Sequence, residues 1–290
     1  MDARPFRSVL YIPGSKERAL EKARSLAADA IIFDLEDAVA AGEKSSARSL
    51  LAQTLATADY GPRAKIVRIN GFDTDWAEAD LEVIAAARPE AILLPKVGSA
   101  KDVEALARKL DARAETAETR IWAMMETPQG IINAATIAAA PRMAGFVMGT
   151  NDLAKELSCR FRADRLPLQH ALQTCLVAAR AQGLVAVDGV YNAFKDNEGL
   201  RDECEQGRDL GFDGKTLIHP AQLAIANEVF APDAAAIDLA QRQIAAYQEA
   251  EAQGQGVAVV DGRIVENLHI VTARAVLARA EAIRTLQEAL

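Results

Sequence analysis

The chain has 290 residues, half of them hydrophobic, and 41 acidic against 33 basic side chains leave a formal net charge of −8. That length can bury a full core without disulfide crosslinks, and the negative balance argues against general nucleic-acid binding. No apolar run is long enough to span a membrane, and the first residues lack an apolar signal segment, so a cytoplasmic globular protein is predicted. Cys159, Cys175 and Cys204 show no Cys-x-x-Cys spacing and are expected to be free thiols.

Short apolar runs recur along the chain, separated by stretches with helical spacing of Ala and Leu. The runs cover residues 8–12, 30–35, 65–69, 91–94, 120–125, 145–148, 184–188 and 214–218. Eight strand–helix units in about 230 residues predict an α/β fold, a (β/α)₈ TIM barrel. An open doubly wound sheet is the alternative, because periodicity does not show closure, although no Gly-x-Gly-x-x-Gly follows the first run.

A different pattern follows the eighth unit. A long helix is predicted over 233–253, a hairpin over 257–265 around Asp261-Gly262, and a last helix from Asn267 onward. We therefore predict a catalytic barrel domain over 1–231 and a C-terminal helix-hairpin-helix extension over 232–290. The extension is interpreted as a lid or an oligomerisation arm, with a packing layer on the barrel as an equal alternative.

Charged residues recur where apolar runs end: Glu36 and Asp37, then Arg68, Glu126 and Asp152. In a parallel barrel the carboxyl ends of all strands meet at one mouth, so these side chains are expected to converge on a single site. An unpaired carboxylate is costly to bury, and two of them suit Mg²⁺, with Mn²⁺ as the alternative ion. Glu126 and Asp152 are therefore the candidate metal ligands, and the alternative for Asp152 is a helix N-cap.

Arg68 is the candidate for stabilising negative charge on a substrate, because a guanidinium binds a carboxylate through two parallel hydrogen bonds. The alternative, a salt bridge to Glu36 or Asp37, is compatible with that role.

A Gly14-Ser15 turn precedes the first predicted helix, where backbone N–H groups attract phosphate. The nearby basic residues are Lys16, Arg18, Lys22, Lys44 and Arg48. The alternative is a solvated helix face with Ser15 as its N-cap.

Taken together, five motifs carry a family resemblance. They read RSVLYIPG over 7–14, FDLEDAV over 33–39 followed by Lys44, VRIN over 67–70, METP over 125–128 and GTNDL over 149–153. In this order they resemble the citrate lyase β-subunit-like (HpcH/HpaI aldolase) family, which includes the malyl-CoA lyases. The resemblance extends from residue 7 to about 220 and implies a (β/α)₈ barrel, Mg²⁺ on Glu126 and Asp152, and Arg68 and Asn151 on the acid substrate.

The resemblance also implies that Tyr11, Lys16 and Lys22 line the path of the CoA nucleotide. It implies that Glu36 and Asp37 contact the residues that bind the metal and the substrate. Lys16 stands where malyl-CoA lyases often carry arginine, which makes its phosphate contact a weaker expectation.

The C-terminal hairpin departs from the family pattern. Many relatives offer an aspartate from this hairpin to a neighbouring subunit's barrel, whereas the matching position here is Glu266. The resemblance implies a homotrimer or hexamer in which Glu266 would exchange a proton with the substrate of a neighbouring subunit. Because glutamate is one methylene longer than aspartate, either the lid is repositioned or the proton-transfer step differs from that of the relatives. The alternative is a Glu266 that faces solvent.

Three functions follow from this reading. The first is a Mg²⁺-dependent lyase that cleaves a malyl-CoA-type ester into acetyl-CoA or propionyl-CoA and a 2-oxo acid. The second is a thioesterase that hydrolyses malyl-CoA to malate and CoA with the same metal site. The third is a subunit that binds a CoA ester without turnover, against which the set of Arg68, Glu126 and Asp152 argues.

Overall fold

A closed barrel of eight parallel strands forms the body of the computed structural model, which describes residues 4–290. The strands follow one another in chain order, and β1 closes the barrel against β8. They are β1 (Ser8–Pro13), β2 (Ala30–Asp34), β3 (Ala64–Arg68), β4 (Ala91–Leu94), β5 (Arg120–Met125), β6 (Met143–Met148), β7 (Val185–Asp188) and β8 (Gly214–Leu217). The predicted barrel is therefore confirmed, and the open-sheet alternative is wrong.

Strand side chains alternate between two cores, as the two-residue period of a strand requires. Those that fill the barrel include Val9, Ile32, Ile66 and Trp122. Their neighbours along each strand face outward against the helices and form the larger core. This parity places every second residue at a strand's carboxyl end inside the mouth of the barrel.

Helices connect the strands on the outside. They are α1 (Glu17–Ala23), α2 (Lys44–Thr57), α3 (Ala77–Ala85), α4 (Ala100–Asp111), α5 (Pro128–Ile132), α6 (Ala134–Ala138), α7 (Thr150–Glu156), α8 (Gln169–Ala181), α9 (Asn197–Leu210) and α10 (Leu223–Val229). None of the helices within residues 4–290 has the length and apolar character needed to cross a membrane. The cysteines are free thiols, as predicted.

The C-terminal tail comprises α11 (Ala234–Ala252), β9 (Ala258–Val260), β10 (Arg263–Val265) and α12 (Asn267–Ala289). The antiparallel β9–β10 hairpin turns through Asp261 and Gly262, whose φ angles of 51° and 73° are those of a type I′ turn. The predicted helix-hairpin-helix order is confirmed. The division at residue 231 stays a prediction.

The tail contacts the end of the barrel opposite its mouth, which we call the floor. Arg279 on α12 donates from Nη2 to the backbone carbonyl of Asp213, 2.6 Å away and just before β8 begins. Ala275 and Ala278 of the same helix face Leu184, which precedes β7, across a cavity. The tail therefore covers the amino ends of the strands.

Candidate active site

An arginine–aspartate pair lies at the mouth, on neighbouring strands. Asp34 and Arg68 are register partners on β2 and β3, and both belong to the inward-facing set. Arg68 donates from Nε to Oδ1 and from Nη2 to Oδ2 of Asp34, each at 2.7 Å. Burial alone would raise the pKa of Asp34, but the Arg68 charge and hydrogen bonds hold that pKa below its usual range. Asp34 is thus a fixed anion that orients the guanidinium.

The remaining Arg68 nitrogen points toward two further carboxylates. Nη1 lies 2.9 Å from Glu36 Oε2 and 3.3 Å from Asp37 Oδ2. Both ion pairs considered in the sequence are therefore present. The two parallel hydrogen bonds expected between Arg68 and a substrate are made with Asp34 instead, and Nη1 is the nitrogen that Asp34 does not engage. Burial raises the pKa of Glu36 to about 7, despite the lowering effect of Arg68.

Glu126 follows β5 and is 1% exposed. Its Oε1 accepts a hydrogen bond of 2.7 Å from the backbone N–H of Lys96, while its buried Oε2 has no partner among the described residues. Burial raises the pKa of Glu126 to about 8, with Glu36 and Asp152 contributing repulsion. A buried carboxylate oxygen without a donor is costly unless a cation compensates it.

Space for Glu126 comes from a glycine that directly follows the neighbouring strand β6. A Cβ at Gly149 would collide with the Glu126 Cβ and would lie 2.6 Å from its Oε2. No side chain therefore fits at position 149 while Glu126 keeps this conformation.

Asp152 lies in the first turn of α7, half-buried. The N-cap of this helix is Gly149, and no side chain caps it, so the N-cap alternative for Asp152 is wrong.

The carboxylates fit a divalent cation that keeps part of its hydration. The buried Oε2 of Glu126 has no hydrogen-bond partner among the described residues, whereas Oε2 of Glu36 lies against Arg68 Nη1. Asp152 lies in the first turn of α7, which follows β6, and β6 is the strand that pairs with β5. Within residues 4–290 no group of three or more His, Cys, Asp or Glu side chains is arranged to hold a metal by itself. An ion held by two carboxylates and otherwise by water or substrate oxygens matches the preference of Mg²⁺.

The residues expected along the CoA path are dispersed. Tyr11 lies inside the barrel, with its ring 5.0 Å from the Arg68 guanidinium. Lys16 is exposed, with Nζ 3.9 Å from Glu43. Lys22 lies on the outer face of α1, beside α2. These three residues do not form one cluster in this structure, and their contact with CoA stays a prediction.

Two further basic residues of the expected anion site, Lys44 and Arg48, have structural partners. Lys44 donates to the backbone carbonyls of Leu35 and Glu36, and Arg48 bonds Asp80 at 2.8 Å. Both are buried, so the expectation that they attract phosphate is wrong. Ser15 is not the N-cap of α1 either, since that position belongs to Lys16.

Asn151 joins the mouth from α7 and exchanges two hydrogen bonds with Asn192, at 2.8 and 3.2 Å. Glu266 is exposed on the tail, where it is the N-cap of α12 and its backbone N–H donates to His269. The structure does not bring Glu266 to the mouth of its own barrel.

Two residues of the mouth were missed in the sequence. Asp34 was overlooked because it stands inside the run IIFDLE, yet it shares the parity of Ala30 and Ile32. Lys96 was overlooked because Pro95 separates it from β4. It adopts a left-handed backbone with φ 52°, and its Nζ lies 3.8 Å from Glu36 Oε1.

Comparisons with known proteins agree with this geometry. Residues 7–220 match the model of the HpcH/HpaI aldolase/citrate lyase family. The chain belongs to this family. A (3S)-malyl-CoA thioesterase from Cereibacter sphaeroides strain KD131 is 70% identical over 281 residues, which cover 97% of this chain and 96% of the relative. The citrate lyase subunit beta of Leuconostoc mesenteroides subsp. cremoris is 37% identical and covers 95% of this chain and 93% of that relative.

A solved relative has the same architecture. The protein CitE from Mycobacterium tuberculosis, in complex with magnesium, acetoacetate and coenzyme A, superposes with a TM-score of 0.81 at 32% identity, covering 96% of this chain and 99% of that one. The relatives are lyases and thioester hydrolases, and the chain is an enzyme of this kind.

Proposed function

We propose that this family member hydrolyses (3S)-malyl-CoA to malate and CoA. The observation that carries the proposal is the 70% identity to (3S)-malyl-CoA thioesterases along nearly the whole chain. This reverses the order of the two activities expected from the motifs, where the lyase came first. The arrangement of Arg68, Glu126 and Asp152 is compatible with either.

Glu126 and Asp152 would hold Mg²⁺. When bound, the ion would supply a positive charge that polarises a substrate oxygen. The paired carboxylates of the mouth and the unpartnered oxygen of Glu126 support this assignment, as does the magnesium in solved relatives.

Arg68 would bind an oxygen of the acid through Nη1, while Asp34 fixes the plane of the guanidinium. Glu36 lies next to that nitrogen and has a pKa of about 7, so it is suited to exchange a proton with water near neutral pH. The side-chain amide of Asn151 would contact the acid substrate at the edge of the mouth.

Carbon–carbon cleavage of the same ester is the second candidate. It is supported by citrate lyase β relatives at 34 to 37% identity along nearly the whole chain. Both reactions develop negative charge on a substrate oxygen beside Arg68 and the carboxylates, so the site accommodates each.

Product analysis separates the two activities. The purified chain is incubated with (3S)-malyl-CoA and Mg²⁺, and malate, free CoA, glyoxylate and acetyl-CoA are quantified. Malate and CoA in equal amounts are expected. Glyoxylate and acetyl-CoA as the main products would establish the lyase instead, and no consumption would contradict both.

Assembly into a homotrimer or hexamer is also proposed. Large apolar side chains on the tail stay exposed in the single chain, among them Val259, Ile264, Leu268 and Val271. A second copy of the chain would remove these surfaces from water. It would also allow the exposed Glu266 to reach a neighbouring mouth.

A further inference from the structure

A second cavity lies at the floor of the barrel, far from the carboxylates of the mouth. It has a volume of about 630 Å³, within the range of small-molecule sites. Its walls combine the starts of several strands with one face of α12. We call it the floor cavity and define it by Phe6, Trp122, Arg120, Arg180, Arg279 and Asp213.

The inner part of the floor cavity is apolar and aromatic. Trp122 closes the barrel interior from below, and its ring lies 5.2 Å from that of Phe6 at an interplanar angle of 54°. Ile66 and Ala64 continue this surface. Such a surface favours an apolar body of a ligand, preferably a flat one.

The rim is cationic. Four arginines line it against two carboxylates, and each carboxylate is paired: Glu90 with Arg4, and Asp213 with Arg180 at 2.9 Å. Arg120 and Arg279 have no carboxylate partner among the described residues. The rim therefore carries two uncompensated positive charges.

Arg279 is the least satisfied of these groups. Its Nη2 bonds the Asp213 carbonyl, but its buried Nε has no partner within residues 4–290. Burial lowers the pKa of Arg279, although the nearby charges of Asp213 and Asp29 oppose this shift. A buried guanidinium nitrogen without an acceptor is costly, and an anion in the cavity would remove that cost.

We propose that the floor cavity is a binding site for a small organic anion that joins a carboxylate to a flat apolar body. The anionic group lies between Arg120 and Arg279, and the apolar body lies against Trp122 and Phe6. Because Arg279 belongs to α12 and Arg120 to β5, the bound anion connects the tail to the barrel. This site is separate from the proposed reaction at the mouth.

The test uses benzoate as the probe and acetate as the probe without an apolar body, titrated calorimetrically into the full-length protein. Benzoate is expected to saturate one site per chain and to bind at least about tenfold more tightly than acetate. Arg120→Gln and Arg279→Gln should each weaken benzoate binding by about tenfold or more. Arg120→Gln, which does not touch the tail's hydrogen bond to Asp213, should leave turnover at the mouth unchanged. Arg274→Gln, an exposed arginine of the same helix, is the matched control and should bind normally.

Tryptophan fluorescence locates the probe, because the chain has only Trp76 and Trp122. Benzoate should change the emission of the wild-type protein but not that of Trp122→Phe. The proposal is overturned if benzoate does not saturate, if both glutamine variants bind it normally, or if saturating CoA displaces it.

Discussion

At the scale of single residues, the observed contact of Arg68 with Asp34 and its proposed contact with the substrate use different nitrogens. Nε and Nη2 are engaged by Asp34, and Nη1 lies 2.9 Å from Glu36 Oε2. A lysine has one ammonium group and cannot form the paired contact and reach a substrate together. Arg68→Lys should therefore lower kcat/KM by about 100-fold or more, the effect of losing one charge-stabilising donor. Steady-state kinetics check this, and a near-normal rate would make Arg68 a structural partner of Asp34 only.

Glu126→Gln tests whether Glu126 binds the metal, because glutamine keeps the shape of the side chain and removes its charge. Turnover should disappear, and the thermal stabilisation that Mg²⁺ gives the wild-type protein should disappear with it. The metal-free variant should be at least as stable as the wild type, since it removes a buried carboxylate whose pKa burial raises to about 8. Glu156→Gln, exposed on the same helix as Asp152, is the control. Activity of Glu126→Gln in a chelator would refute the assignment.

The sequence predicts a residue of the mouth only where a charged side chain follows an apolar run. Arg68, Glu126 and Asp152 meet that condition. Asp34 fails it because it interrupts its run, and only strand parity reveals that it faces inward. The position of Lys96 at the mouth depends on its left-handed backbone conformation after Pro95. The hydrophobic periodicity of the sequence does not predict that conformation.

At the scale of elements, β7 and β8 are joined to α9 by a buried ionic network. Lys215 Nζ lies 3.0 Å from Asp188 and 2.6 Å from Glu203, and Arg165 bonds both oxygens of Asp188 at 2.7 Å. Burial alone would raise the pKa of Asp188, but Lys215 and Arg165 hold it below its usual range. The charged carboxylate is therefore favoured in the folded state.

The sign of the pH dependence follows from that lowered pKa. Asp188 contributes stability that is present above the unfolded pKa, about 4, and is lost as pH falls through the folded value. Asp188→Asn should lower the free energy of unfolding at pH 7 by about 3 kcal/mol, because it uncouples a buried ion pair. Urea denaturation should show this deficit shrinking below about pH 4. Asp209→Asn, exposed on α9, should behave as wild type, and a pH-independent deficit would contradict the argument.

Elements were more predictable than residues. Most strands of the barrel are short apolar runs, although β8 contains the buried Lys215 and Thr216, and the Asp261-Gly262 pair predicts the hairpin. Ser15 misled the prediction of a helix start because side-chain type alone does not set the cap. The cap depends on where the chain leaves β1, and here Lys16 takes that position.

At the scale of the whole molecule, the carboxylates of the candidate site and the C-terminal tail lie at opposite ends of the barrel. The tail contacts the floor through Arg279, whereas the carboxylates lie at the mouth. A role for Glu266 in catalysis therefore requires another subunit. The sequence pattern predicted the tail but did not show which end of the barrel it covers.

Mixing two inactive proteins tests the shared site. Glu126→Gln supplies an intact Glu266, and Glu266→Ala supplies an intact mouth. After subunit exchange, part of the wild-type activity should return, because some interfaces pair an intact mouth with an intact tail. Exchange itself is monitored by native mass spectrometry. Two inactive variants that exchange without recovery would exclude action in trans, and a fully active Glu266→Ala would remove the residue from catalysis.

Gly149 contributes to the candidate site only through the space that its missing side chain leaves free. It offers no charge, no side-chain donor and no contact to a substrate, yet Glu126 occupies the volume that any larger residue at 149 would fill. A redesign that retains all the acidic residues of the mouth and adds a single methyl group there would displace the carboxylate from β5. The position of the Glu126 carboxylate therefore depends on the absence of a side chain at the start of α7, and a search for polar residues alone would overlook it.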